Sequence, residues 1–206
     1  SEAGHAGGRF PRPNLHERLE RVLDETKPDL IIACYGSNCG IYQPYDADRM
    51  EAYKAGLTKL KKAADQRAIE IVFVTPPVFD SKQRPEQAYY EGVMHNYASW
   101  LIAQQEQGWH VSDVHFAMQS LLDAQRETDP DFTWQPDAVH PNAAGHQVMA
   151  AALVRSFVPD FDLAEFDSLA YRTQYTITHS KLKANQRKLL ESTRHRRPGI
   201  PGYVAE

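Results

Sequence analysis

The chain has 206 residues, of which 42% are hydrophobic and 24% are charged. This composition is ordinary for a globular protein, and the length is sufficient for one α/β domain with a buried core. The formal net charge of −4 gives no reason to expect nucleic acid as a partner. No apolar stretch reaches the roughly 18 residues that a membrane-spanning helix needs, and no signal peptide is visible, so the sequence does not indicate a compartment.

Hydrophobic periodicity predicts alternating helices and strands. Residues 1–13 are rich in glycine and proline and predict a loop, after which Asn14 is a suitable N-cap for a helix that ends at Lys27-Pro28. This helix has one apolar stripe, formed by Leu15, Leu19, Val22 and Leu23. Short apolar runs predict strands at 30–35, 70–75 and 109–114, and the continuous first run predicts a strand buried on both faces. Helical spacing predicts further helices at 47–66, 85–106, 115–126 and 143–157.

The alternation of strands and helices predicts right-handed βαβ units and a parallel sheet. In such sheets ligands bind at the carboxyl ends of the strands. Four loops should therefore form one rim, namely 36–40, 75–81, 113–115 and 132–142. We expect the first and the last of these loops to face each other.

The last of these loops carries an aspartate three residues before a histidine, Asp137 and His140. Pro141 restricts His140 to extended conformations, and Asn142 is a suitable N-cap for the following helix. Asp137 is close enough to accept a hydrogen bond from His140 Nδ1–H, which would leave Nε2 available as a general base. The alternative is simple turn chemistry, in which Asp137 accepts hydrogen bonds from local backbone amides.

The loop after the first strand has the sequence Tyr-Gly-Ser-Asn-Cys-Gly. Gly36 permits a tight exit from the strand, and the side-chain amide of Asn38 can donate a hydrogen bond into the rim. A donor aimed at a developing oxyanion contributes roughly 3–4 kcal/mol in acyl-transfer enzymes. The alternative is again a plain turn, because Gly, Ser and Asn are common turn residues.

Gly-x-Asn after a parallel strand, followed by Asp-x-x-His-Pro near the end of the α/β unit, resembles the SGNH hydrolases, also called GDSL esterases and lipases. The resemblance covers about residues 1–157 and implies an incomplete flavodoxin-like domain, with a parallel sheet in a three-layer α/β/α arrangement, followed by a helical extension over 158–206. It implies Asn38 and Gly36 in the oxyanion hole, Asp137 as the orienting acid and His140 as the general base of a Ser-His-Asp triad.

The resemblance further implies hydrolysis of small acyl esters, such as carbohydrate O-acetyl esters, without a metal or organic cofactor. The family's Gly-Asp-Ser nucleophile block does not occur in this sequence. We therefore expect the nucleophile and the first strands to lie in a segment before Ser1. The chain alone should then be inactive or poorly soluble, with an open sheet edge at 30–35. Ser37 and Cys39 are weaker candidates for the nucleophile, and Cys39 stands where many relatives carry aspartate.

Two other interpretations remain open at this point. A hydrolase fold without its nucleophile could serve as a binding module. A metallohydrolase would instead use ligands from the rim and the following helix, and the candidates are Asp113, His115, Asp137, His140 and His146. Two cysteines cannot form a disulfide framework, and the position of Cys34 in an apolar run predicts a small buried hydrophobe.

Overall fold

The computed structural model describes residues 15–160, which form a three-stranded sheet and five α-helices. In chain order the elements are α1 (Leu15–Thr26), β1 (Leu30–Cys34), α2 (Ala47–Asp65), β2 (Glu70–Val74), α3 (Tyr89–Ala103), β3 (His110–Ser112), α4 (His115–Arg126) and α5 (Ala143–Arg155). The predicted loop over residues 1–13, the N-cap Asn14 and residues 161–206, which hold most of the expected C-terminal extension, lie outside this range. No helix in the described part of the chain is long and apolar enough to cross a membrane.

The sheet has the order β1-β2-β3, and both pairs of neighbouring strands are parallel. Leu30 pairs with Glu70 at the start of β1, and Cys34 pairs with Val74 at its end. Each connection between neighbouring strands contains a helix, α2 between β1 and β2 and α3 between β2 and β3. The predicted α/β class with a parallel sheet is confirmed.

The helix predictions are confirmed, with differences at the ends. All five apolar positions predicted for α2 are buried: Met50, Tyr53, Leu57, Leu60 and Ala64. In α1 the side chain of Val22 is 38% exposed, so its assignment to the apolar stripe was wrong. The region predicted as one helix over 85–106 is an α-helix between two 3₁₀ turns, Pro85–Gln87 and Gln104–Gln107. Gly108 then ends the segment with a left-handed backbone, which favours glycine.

The prediction that the first strand is buried on both faces was wrong. Ile31 and Ala33 face the main core, but Leu30 and Ile32 are 39% and 51% exposed. Cys34 is also exposed, so its predicted burial was wrong too. The physical reason is that β1 pairs only with β2 among residues 15–160, while the core on the other face is centred on β2, α4 and α5. An apolar run is therefore compatible with an edge strand as well as with a central one.

Two hydrophobic cores lie on the two faces of the sheet. The larger one joins α1, α2 and α3 to β1 and β2, and includes the side chains of Phe73 and Phe79. The smaller one joins α4 and α5 to β2, and includes Trp134 from the loop before α5. Because side chains alternate along β2, Phe73 faces the first core and Val74 the second. This packing fixes the loops at the carboxyl ends of the strands.

Candidate active site

Asp137 contacts His140 through both of its carboxylate oxygens. Oδ2 lies 2.6 Å from the ring nitrogen Nδ1 of His140, while Oδ1 accepts from the backbone N–H of His140 at 2.7 Å and of Val139 at 3.0 Å. The two interpretations of this loop are thus compatible, since one oxygen forms the turn and the other contacts the ring. The backbone and ring hydrogen bonds from His140 hold the pKa of Asp137 well below its usual range, so the carboxylate is ionised at neutral pH.

The His140 ring is accessible from solvent. Its side chain is 82% exposed and that of Asp137 is 47% exposed. With Nδ1 occupied by Asp137, Nε2 is the nitrogen left to exchange protons with a bound molecule. No hydrogen bond within residues 15–160 involves this Nε2 atom. The arrangement is that of an oriented imidazole with its reactive nitrogen exposed.

The loop that carries the pair is fixed to the segment after β2. Ala138 is fully buried and accepts a hydrogen bond from Asp80 N–H at 3.0 Å. Buried Gln135 donates from Nε2 to the carbonyl of Val78 at 2.7 Å and to that of Val139 at 3.1 Å. Asn142 accepts from Gly145 N–H and caps α5, as the sequence predicts. His140 is therefore exposed on a loop that is anchored to the segment after β2 through the buried residues Gln135 and Ala138.

An ion pair strengthens the same attachment. Asp80 is 2% exposed, and Arg126 Nη2 donates to both of its carboxylate oxygens at 2.8 Å. Arg126 Nε also donates to the carbonyl of Phe132 at 2.9 Å, and the Thr133 hydroxyl donates to Asp80. Arg126 ends α4, so this cluster joins α4, the segment after β2 and the loop before α5. No sequence pattern predicted it, because the partners are 46 residues apart.

The first rim loop begins with a backbone that requires glycine. Gly36 has φ +144°, and a Cβ atom at this position would lie 2.7 Å from Pro76 Cβ. Its carbonyl accepts from Cys39 N–H at 2.7 Å, which closes a turn around Ser37 and Asn38. Asn38 is half-buried, and its Oδ1 accepts from the Tyr42 hydroxyl at 2.8 Å. No group among residues 15–160 accepts a hydrogen bond from Asn38 Nδ2.

A small cavity of about 10 Å³, which is room for at most about one water molecule, lies between the two loops. Ser37 and Tyr42 contribute to its wall from the first loop, and Val139 contributes from the loop of the aspartate and histidine. The remaining walls are side chains of the segment after β2 and of α3: Pro77, Val78, Phe79, Tyr90 and Met94. The two loops are therefore adjacent, as the strand order predicts.

The structure does not bring the proposed metal ligands together. Among residues 15–160, no three or more His, Cys, Asp and Glu side chains are grouped closely enough to hold a metal ion. His115 is 2% exposed and its Nδ1 lies 3.1 Å from the Pro76 carbonyl, while Asp113 Oδ1 accepts from Phe116 N–H at the start of α4. Burial lowers the pKa of His115 to about 4. The metallohydrolase interpretation therefore has no ligand set in this region.

The two alternative nucleophiles differ in environment. The side chain of Cys39 is only 6% exposed and belongs to the larger core. Ser37 is half-buried and lines the small cavity, while its carbonyl accepts from the Tyr90 hydroxyl at 2.8 Å. Burial makes Cys39 a poor thiol nucleophile, because the charged thiolate is disfavoured in apolar surroundings.

Comparison with known proteins gives a family and a fold. The family model of GDSL-like lipases and acylhydrolases matches residues 3–148. Among solved structures, a mutant of an acetyl-xylooligosaccharide esterase from Geobacillus stearothermophilus has a TM-score of 0.55 at 21% identity, covering 72% of this chain and 67% of that one. A catalytic mutant of an acetylxylan esterase from Geobacillus stearothermophilus has a TM-score of 0.54 at 23% identity, with the same coverage.

At these identities the structural likeness shows the fold alone. A search of curated proteins found no match. The family match spans more than two thirds of the chain and includes both rim loops that carry the quoted motifs. The chain belongs to the GDSL-like lipase/acylhydrolase family of hydrolases that act on ester bonds.

Proposed function

We propose that this chain supplies the general base, the orienting acid and an oxyanion donor of a serine esterase. The observation that carries the proposal is the 2.6 Å contact between Asp137 Oδ2 and His140 Nδ1 beside an exposed imidazole edge. Asp137 holds the ring in one tautomer and stabilises the imidazolium once it forms. Asn38 lies in the neighbouring rim loop, and the engagement of its Oδ1 by Tyr42 leaves the Nδ2 end of the amide, which supports its assignment as the oxyanion donor.

The reaction then follows the usual course of acyl transfer. A serine hydroxyl attacks the ester carbonyl, and His140 Nε2 takes the hydroxyl proton and returns it to the leaving alcohol. Asn38 Nδ2–H and backbone amides that begin at Gly36 bind the oxyanion of the tetrahedral intermediate. Water, deprotonated by His140, then releases the acid. The serine belongs to a Gly-Asp-Ser block, which this sequence does not contain, so in our proposal another segment supplies it.

The substrate class that we propose is small acyl esters, including O-acetyl groups on carbohydrates. The two solved structures named above are mutants of one Geobacillus enzyme, which is described both as an acetylxylan esterase and as an acetyl-xylooligosaccharide esterase. The exposure of His140 suits an alcohol portion that remains largely outside the protein, as in a polysaccharide.

A second candidate function is ligand binding without catalysis. The observation that favours it is the absence of a Gly-Asp-Ser block from the 206 residues. In that case the Asn38 and His140 side chains would hydrogen-bond to a carbonyl-bearing ligand without acylation.

A fluorophosphonate probe separates these possibilities, because it reacts covalently with an activated serine. The experiment labels the 206-residue chain and, in parallel, the product of the complete coding region, and peptide mass spectrometry locates the label. We expect a labelled serine within Gly-Asp-Ser in the complete product, turnover of p-nitrophenyl acetate, and a loss of both in His140→Ala. Asp137→Asn should lower kcat about 10²–10⁴-fold, since the ring loses its anion and its fixed tautomer.

Each other outcome contradicts part of the proposal. A label on Ser37 would place the nucleophile inside this chain. Labelling and turnover that persist in His140→Ala would remove the base assignment. A complete product that neither reacts with the probe nor turns over ester would support the binding module.

A further inference from the structure

The side chain of Tyr42 contacts the candidate oxyanion donor directly. Its hydroxyl lies 2.8 Å from Asn38 Oδ1 and donates a hydrogen bond to it. An asparagine amide has an oxygen end and an NH₂ end that differ little in shape, so sterics alone do not fix which end faces a ligand. The Tyr42 hydroxyl engages the oxygen end. The NH₂ end is then left for the rim, which is the orientation that stabilises an oxyanion.

The backbone that places this hydroxyl is unusual. Ile41 has φ +50° and Tyr42 has φ +55°, both in the left-handed region that β-branched and bulky residues rarely adopt. Two consecutive residues of this kind reverse the chain and return the Tyr42 side chain to Asn38, four positions earlier. Residues keep this strained backbone conformation only where the surrounding contacts stabilise it, and such residues are concentrated at functional sites.

Contacts on three sides hold Tyr42 in this position. Its ring packs against the Tyr90 ring with centroids 5.0 Å apart, and the Tyr89 hydroxyl donates to its carbonyl at 3.3 Å. The preceding turn is closed by Ile41 N–H, which donates to the Asn38 carbonyl at 3.3 Å. Tyr90 belongs to the larger core, so the hydroxyl is fixed relative to the sheet rather than to a free loop.

We propose that Tyr42 is a positioning residue of the oxyanion hole, whose hydroxyl fixes the Asn38 amide with its NH₂ group towards the substrate oxygen. The inference rests on the proposed function of Asn38. A purely packing role for Tyr42 would need only the aromatic ring, which phenylalanine also has. The hydroxyl is therefore the group to test.

The first test is a double-mutant cycle in the protein form that hydrolyses p-nitrophenyl acetate. It compares Tyr42→Phe, Asn38→Ala and the double variant. Tyr45→Phe is the matched control, since Tyr45 lies three residues further along the chain and is 54% exposed. Asn38→Ala should lower kcat about 10²–10³-fold, as expected for the loss of an oxyanion donor. Tyr42→Phe should lower kcat about tenfold with KM within about twofold, and should have no further effect in the Asn38→Ala background.

The outcomes separate failure of this inference from failure of the proposed function. If Asn38→Ala leaves kcat unchanged, the oxyanion assignment itself fails. If Asn38→Ala is strongly impaired but Tyr42→Phe equals wild type, or has the same effect in both backgrounds, the oxyanion assignment stands and the positioning role is overturned. A Tyr42→Phe defect that lies in KM alone also overturns it.

A second measurement needs no turnover. In ¹⁵N-labelled protein, the side-chain NH₂ signals of Asn38 are identified by their loss in Asn38→Ala. Tyr42→Phe should shift these two signals, because the hydrogen bond to the Asn38 Oδ1 of the same amide is lost, while Tyr45→Phe should leave them in place. Unchanged Asn38 signals in Tyr42→Phe would overturn the inference even in a protein form without activity.

Discussion

Replacing Arg126 with methionine should strongly destabilise the domain. Asp80 has a side chain that is 1% exposed, and both of its oxygens accept from Arg126 Nη2 at 2.8 Å. Removal of one partner of a buried ion pair costs about 3–5 kcal/mol, because the other charge is left without compensation. Methionine retains most of the apolar stem, so the change removes mainly the guanidinium.

The structure favours the lower end of that range. After the substitution Asp80 still accepts from the Thr133 hydroxyl and from Lys82 N–H, so the carboxylate keeps part of its hydrogen bonding. We therefore expect a loss of about 3 kcal/mol from a total that is typically about 5–15 kcal/mol. For a domain of this size the corresponding fall in Tm is roughly 6–12 °C.

Urea unfolding followed by far-ultraviolet circular dichroism measures this change. The comparison requires that the free energy of unfolding falls with urea concentration at the same slope in both proteins. Arg67→Met is the matched control, because Arg67 pairs with Glu20 and Asp24 at the exposed surface. Its loss should be far smaller, since exposed pairs are screened by water. Adding Asp80→Asn to Arg126→Met should restore about 1–2 kcal/mol, because the uncompensated charge is then gone.

Two results would refute this reasoning. One is an Arg126→Met protein whose loss of stability is no larger than that of Arg67→Met. The other is a double variant less stable than Arg126→Met alone, which would mean that the buried charge is not the source of the cost.

Gly36→Ala should lower the free energy of unfolding by about 3 kcal/mol, because the new Cβ would lie 2.7 Å from Pro76 Cβ at a φ of +144°. Gly92 lies on α3, and a Cβ atom added there would have no atom within 4 Å. Gly92→Ala should therefore raise the free energy of unfolding by about 1 kcal/mol, and thermal unfolding compares the two variants. His115 gives a pH dependence, since its pKa falls from 6.5 to about 4 on folding, chiefly through burial. The unfolded chain therefore takes up this proton first, so the contribution of His115 is complete above pH 6.5 and is lost as the pH falls towards 4. Between pH 7 and pH 4.5 the stability advantage of wild type over His115→Gln should shrink by roughly 2–3 kcal/mol in urea titrations.

These expectations can fail in specific ways. Equal effects of the two glycine substitutions on the free energy of unfolding would mean that the loop at Gly36 rearranges to accept the new Cβ atom without loss of stability. A constant difference between wild type and His115→Gln across the pH range would show that His115 is as easily protonated in the folded state as in the unfolded chain. His95 and Asp113 lie close to His115 and are present in both proteins.

The sequence predicts well those features that depend on neighbours along the chain. The α4 helix has the predicted bounds, and α5 begins where Asn142 caps it. The contact between Asp137 and His140 likewise needs only a turn of four residues. Helix periodicity, helix caps and short turns depend on residues a few positions apart, so a single sequence is enough to predict them.

The features that were missed depend on distant parts of the chain. The exposure of Ile32 follows from the position of β1 at the edge of the sheet, which an apolar run does not reveal. The pairing of Asp80 with Arg126 requires the folded arrangement of α4 and the segment after β2. The return of Tyr42 to Asn38 requires left-handed backbone at residues without a turn signal.

The two halves of the site also differ in how they come together during folding. Asp137 and His140 are three residues apart, so little chain entropy is lost when their contact closes. Asn38 is roughly 100 residues away in the chain, and only the folded sheet brings its loop beside the loop of Asp137 and His140. The approach of the two loops is therefore the long-range step in forming the candidate site, and its entropic cost is set by the chain between them.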